Sequence, residues 1–157
     1  MNRQLTMLLT TVAVLSAAAA HALEVSVTDA RLRKGEQASV TVKFKENPLA
    51  DVFAVDVAFS FDAGAFRLDR IEKGYAVSQF QLVENREDGS DAVRIALIGL
   101  FPLNAESGDL LTLHFTARED GVPGRDRALI ITGVTFATDE AALSPEKITQ
   151  GELVLSR

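Results

Sequence analysis

Histidine, cysteine and paired carboxylates are the residues that would carry nucleophilic or acid–base chemistry, and this chain has few of them. It has no Cys and two His. His21 lies in an apolar N-terminal leader, so His114 is the histidine left to the folded chain. His114 alternates with Thr112 and Thr116 on the polar side of DLLTLHFTAR (109–118), the place of a solvated side chain. No G-x-S-x-G elbow accompanies it, so a Ser–His–acid triad lacks support. Asp56, Asp62 and Asp69 could be paired as the two carboxylates of a glycosidase. However, Asp62 falls in a turn and Asp69 on a charged strand face, and nothing sets them across a cleft. Glu87, Asp88 and Asp91, and separately Asp139 and Glu140, form acidic loops without the spacing of a defined calcium loop. These residues predict no enzyme, no metal site and no cofactor.

The elements that would position a site are strands. In Val52–Phe61 (VFAVDVAFSF), Phe53, Val55, Val57, Phe59 and Phe61 alternate with Ala54, Asp56, Ala58 and Ser60. Strict alternation is the period of a strand whose two faces meet different surroundings. One face is dense enough for a core. The other is flat, carries one carboxylate and lacks the Lys/Glu dressing of a solvated surface. Further strands are read at 24–29, 38–46, 66–72, 78–84, 92–101, 109–118, 128–137 and 151–156, with a bulge at Gly133 and a helical turn near 139–143. In 92–101, Val93, Ile95, Leu97 and Phe101 face inward, while Arg94, Ala96, Ile98 and Leu100 face outward. Nine short strands with turns every ten or so residues predict an all-β sandwich.

The leader has the plan of a signal peptide: Arg3, an apolar stretch over Leu5–Ala20, and a small-x-small site at Ala20-His21-Ala22. It predicts a signal peptide at 1–22, cleavage before Leu23, one domain over 23–157, and an exported protein, periplasmic or extracellular. The net charge of −6 becomes one unit more negative when Arg3 leaves. No basic cluster exists to hold nucleic acid, and an acidic surface disfavours anionic membranes. No later apolar run is long enough to span a bilayer.

The ordered set of pieces resembles the cohesin family, the receptor domains that bind dockerin modules in cellulosomes. The carrying motifs are the opening V-x-V with RKGEQ and ASVTVKF, then Phe53–Asp62 ending in an aromatic–Asp turn. Phe66-Arg67-Leu68 running to Gly74, Ser107–Phe115 (SGDLLTLHF) and Gly151–Leu155 complete the set. The resemblance implies a nine-stranded jelly-roll β-sandwich that docks its partner on the sheet made by the third, fifth, sixth and eighth strands. It places Asp56 at the family's acidic contact on the third strand. Ala54 stands where type I cohesins often carry Asn.

The outward residues of these strands point to the same face independently. Ser39, Thr41, Lys43, Lys45, Thr112, His114, Thr116 and Arg118 make one side an ordinary wet surface. Ala54, Asp56, Ala58, Ser60, Gln79, Gln81, Val83, Ala96, Ile98 and Leu100 make the other nearly free of long charged side chains, the composition of an interface. The competing possibility is that residues 138–150 cover Ile98 and Leu100 as a second small core. The expectation is a non-catalytic protein-recognition module whose partner is a dockerin-like module or an envelope or secretion component. The alternative is a carbohydrate-binding module linked to polysaccharide breakdown. That alternative has no Trp and a single Tyr, Tyr75, to stack on sugars, and most of the nine Phe fall at inward positions.

Overall fold

The computed structural model describes residues 22–122 and 128–157. The expected leader therefore lies, apart from Ala22, outside the described residues. The strands are β1 (Glu24–Val27), β2 (Ala30–Leu32), β3 (Gln37–Lys45), β4 (Val52–Phe61), β5 (Phe66–Lys73) and β6 (Gln81–Asn85). They continue as β7 (Ala92–Leu103), β8 (Gly108–Ala117), β9 (Leu129–Ala137), β10 (Ala142–Leu143), β11 (Lys147–Thr149) and β12 (Leu153–Leu155). One sheet runs β11-β1-β3-β8-β5 and the other β10-β9-β4-β7-β6, while β12 and β2 form a small parallel pair. The all-β sandwich is as expected. The described residues hold twelve strands rather than nine, because the short β10 and β11 extend the sheet edges and the short β2 pairs with the closing strand β12.

The core follows from the alternation. Val55, Val57 and Phe59 on β4 are buried, as are Val40, Val42 and Phe44 on β3 and Leu111, Leu113 and Phe115 on β8. Phenylalanines tie one sheet to the other. The Phe44 and Phe136 rings lie 5.3 Å apart, and Phe115 of β8 meets Phe61 of β4 edge-on at 5.5 Å. Such tilted contacts add to the area the rings bury.

Four local expectations are corrected. The run 78–84 is not one strand: a 3-10 turn at Tyr75–Val77 precedes it, residues 78–80 remain in the turn, and β6 begins at Gln81. Buried Val77 and Phe80 pin this turn, so a hydrophobic anchor there looked like strand alternation. Phe53 is only half-buried, and Val52 fills the core position instead, because the β4–β7 register shifts between Val52 and Ala54. Phe101 is 71% exposed rather than inward, for the same reason. Val52 pairs with Leu103 and Ala54 with Ile98, so residues 99–102 bow out of the ladder and the two-residue period lapses. At 139–143, the chain turns at 138–141 and forms β10 instead of a helical turn, the Thr138 N–H donating to the Ala141 carbonyl.

Asn47 fixes the crossing from one sheet to the other. It is the buried polar residue of the described chain. Its amide nitrogen donates to the Leu49 and Ala105 carbonyls at 3.2 Å, and its Oδ1 accepts from the Leu49 N–H at 3.1 Å. Every polar group of the side chain is thus used, as burial requires. It lies just after Glu46, which has a left-handed backbone of φ 58°. The loop so pinned delivers the chain into β4.

Candidate functional site

The outer face of the β10-β9-β4-β7-β6 sheet carries the expected site. Register sets its rows: Ala54 opposite Ile98, Asp56 opposite Ala96, Ala58 opposite Arg94, and Ser60 opposite Ala92. On the far side of β7, Gln81 faces Ile98 and Val83 faces Ala96. Of the ten expected residues, nine belong to these two contiguous pairings or the bow beside them: Ala54, Asp56, Ala58, Ser60, Gln81, Val83, Ala96, Ile98 and Leu100. Gln79 is exposed but belongs to the turn before β6, not to the sheet face.

The face is open among the described residues. Ile98 is 50% exposed and Leu100 90%, so residues 138–150 do not cover them. The reason is topological. β10 pairs along β9, and β11 then joins β1 in the opposite sheet, so this segment closes the side of the sandwich. Small residues keep the centre flat. Ala54, Ala58 and Ala96 on β4 and β7 are flanked on β9 by Gly133 opposite Ala58 and Ala137 opposite Ala54. The expected bulge sits at Gly133, where the β4–β9 register slips and Thr132 becomes the extra residue.

Electrostatically the face is nearly neutral. Its carboxylate, Asp56, has Arg94 Nε 3.7 Å from Oδ1. Sequence reasoning left out three apolar contributors: Phe101, Ile130 (42% exposed) and Ala137. Pro102 signalled the bow that exposes Phe101. The alternation of β9 could have supplied the others had Gly133 been used to reset its phase.

The opposite sheet differs, as expected, in carrying charge. Arg67 Nε donates to Asp69 Oδ1 at 2.6 Å, and the Thr116 hydroxyl donates to Asp69 Oδ2. Arg70 pairs with Glu72 at 3.1 Å, and His114 Nε2 lies 3.0 Å from the other oxygen of that carboxylate. Partial burial tends to raise the Asp69 pKa, but the Thr116 and Arg67 bonds and the Arg67 charge outweigh it and hold the carboxyl below its ordinary range. Lys45 likewise holds Glu24 low by hydrogen bond and charge, and Glu24 holds Lys45 high. His114 is thus engaged with Glu72 at a sheet surface. Among the described residues, no three His, Cys, Asp or Glu are grouped to hold a metal ion, and no helix is long and apolar enough to cross a membrane.

Comparison with known proteins places this architecture. The chain is similar in structure to a chain of a type I cohesin–dockerin complex from Clostridium thermocellum, with TM-score 0.71, 16% identity, 86% of this chain covered and 99% of that one. It is also similar to CaCohA2 from Clostridium acetobutylicum, with TM-score 0.72, 16% identity, and 87% and 92% covered. A non-cellulosomal cohesin from the archaeon Archaeoglobus fulgidus gives TM-score 0.67 at 14% identity, with 87% and 92% covered. No curated protein matches the chain. The model of the cohesin domain family matches residues 23–154, nearly the whole described fold. The chain therefore belongs to the cohesin domain family.

Proposed function

We propose that this protein is an exported, non-catalytic recognition domain that captures a protein partner on the outer face of β9, β4, β7 and β6. The carrying observation is the contrast between the two sheets. One presents ion pairs and hydroxyls to water. The other, among the described residues, presents small and apolar side chains around a single neutralised carboxylate and lies uncovered. A face depleted in charge at its centre suits a desolvated protein contact. Membership of the cohesin family, and the cohesin–dockerin complexes among its structural relatives, make a dockerin-like module the first partner to test. An envelope or secretion component is the other protein class that the same face would serve.

The test is capture from a panel of purified dockerins by the immobilised chain. Capture of at least one dockerin, lost on Asp56→Arg or Leu100→Asp with the melting temperature unchanged, supports the reading. Capture undiminished by both substitutions moves the site elsewhere. Two exposed rings, Tyr75 and Phe101, keep carbohydrate binding as a second reading, since exposed aromatics stack on sugars. Affinity electrophoresis on a polysaccharide panel separates the two, because retardation without dockerin capture favours the carbohydrate.

A further inference from the structure

The bow at residues 99–102 does more than interrupt β7. It projects Leu100 and Phe101, 90% and 71% exposed, from one end of the flat sheet face. Besides the loop of Asn47, which packs on Ala105 and Glu106, two segments meet the sheet at this end. Asp51 precedes β4, its N–H bonded to Asn104 Oδ1 at 3.2 Å. The 138–141 turn follows Ala137, which pairs with Ala54, the residue also opposite Ile98. Together residue 51 and the segments 99–106 and 138–141 carry Asp51, Glu106, Asp139 and Glu140, and no Lys or Arg. All four carboxylates are exposed. None of them is in a salt bridge among the described residues, whereas Asp56, Asp69, Glu72, Glu84 and Asp120 all are.

An apolar projection this exposed, bordered by unsatisfied negative charge, has a defined complement. We infer that this end is the anchoring contact of the recognition face, and that its partner is a polypeptide surface presenting an apolar hollow bordered by Lys or Arg. Desolvated apolar anchors at an interface supply most of the affinity, while exposed charges around them set approach rate and orientation. The positive border follows from these four carboxylates, since the nearby cation, Lys45, which lines a pocket with Glu106, is already paired with Glu24 at 3.0 Å. A partner with an acidic border would meet uncompensated repulsion, and a neutral one would leave the four carboxylates without use. The contact so described rests on the recognition role proposed above.

The probe is an amphipathic helical peptide of Leu and Lys, titrated into the isotope-labelled full chain and followed by amide chemical shifts. A Leu/Glu peptide of the same pattern is the control. The expected result is shifts concentrated at 51, 99–106 and 138–141 with the Lys peptide, and none with the Glu peptide. Joint neutralisation by Asp51→Asn, Glu106→Gln, Asp139→Asn and Glu140→Gln should weaken binding about tenfold, the sum of several modest exposed pairs. Leu100→Ser with Phe101→Ser should weaken it at least as much, with the remaining amide spectrum preserved as evidence of folding. Equal shifts at the acidic 87–91 hairpin would show bulk charge attraction and overturn the assignment, as would affinity indifferent to both sets of substitutions. Dockerin capture lost on Asp56→Arg would still stand in that event. Conversely, a chain that captures no dockerin but binds the Lys peptide at this end keeps the anchor and loses only the dockerin.

Discussion

Asp56 and Arg94 reach each other diagonally across β4 and β7, with Arg94 Nε 3.7 Å from Asp56 Oδ1. Their direct cross-strand neighbours are Ala96 and Ala58, so the pair stands over a floor of methyl groups. Both side chains are substantially exposed, which limits such a pair to roughly 0–1 kcal/mol. Its consequence is to cancel charge at the middle of the face. The prediction is that Asp56→Asn, Arg94→Gln and the double variant melt within a few degrees of the parent. The coupling in a double-mutant cycle should be under about 0.5 kcal/mol. Coupling well above about 1 kcal/mol would make the pair a structural element rather than a surface feature.

Phe115 is the hinge of the core. It is buried at 1% exposure, meets Phe61 of the other sheet at 5.5 Å and Phe66 of β5 at 6.4 Å. Truncation removes two ring contacts and leaves a cavity between layers that the strands cannot close without bending. Phe115→Ala should cost about 3–5 kcal/mol, and Phe115→Leu about 1.5 kcal/mol or less, read from urea unfolding. Equal costs for the two would mean that ring geometry, not filled volume, sets the core.

Asp69 makes acid stability testable. The β5–β8 ladder slips between Leu68 and Arg70, so Asp69 is the extra residue of a bulge, held by Thr116 and Arg67. Its pKa is depressed in the fold despite the opposing effect of burial. A depressed carboxyl contributes stability above its unfolded pKa and loses it as pH falls through the folded value. Asp69→Asn should therefore cost about 1 kcal/mol at neutral pH, and the gap to the parent should close as pH drops below the carboxylate range. A gap that stays constant from neutral to acid would assign the effect to bulge shape alone.

These residues also show what a sequence discloses. The two-residue period on β3, β4 and β8 revealed the sandwich and most of the open face, because each strand buries one side and the pattern is local. Gly133 revealed its bulge because a residue without a side chain in a β-branched run marks a break. Alternation extended through Gly99–Pro102 puts Phe101 inward, whereas the chain leaves the ladder there. Gln79 reads as a strand residue because Phe80 buries itself from a turn as well as it would from a strand. The uncovered state of Ile98 depended on where residues 138–150 go. That is settled by pairings of long separation, β11 with β1 and β12 with β2, which leave no periodic trace.

The two outer faces give the sharpest comparison, because a single type of substitution can be placed on each. Val83 and Ile98 are half exposed on the flat face, on strands whose inward residues are left untouched. Thr41 and Thr112 pair on the opposite face, at similarly regular ladder positions. Lys at any of the four sites can extend into water, so little change in stability is expected, within about 0.5 kcal/mol for surface substitutions. The effect on capture should differ. A lysine at Val83 or Ile98 would have to be desolvated against a partner or hold it away, and binding should fall at least about a hundredfold. A lysine at Thr41 or Thr112 should leave binding within about threefold. Calorimetric titration with whichever partner the chain captures reads both arms. Loss of affinity from the Thr41 and Thr112 variants, with the Val83 and Ile98 variants intact, would transfer recognition to the charged sheet and make the bare one a surface without a ligand.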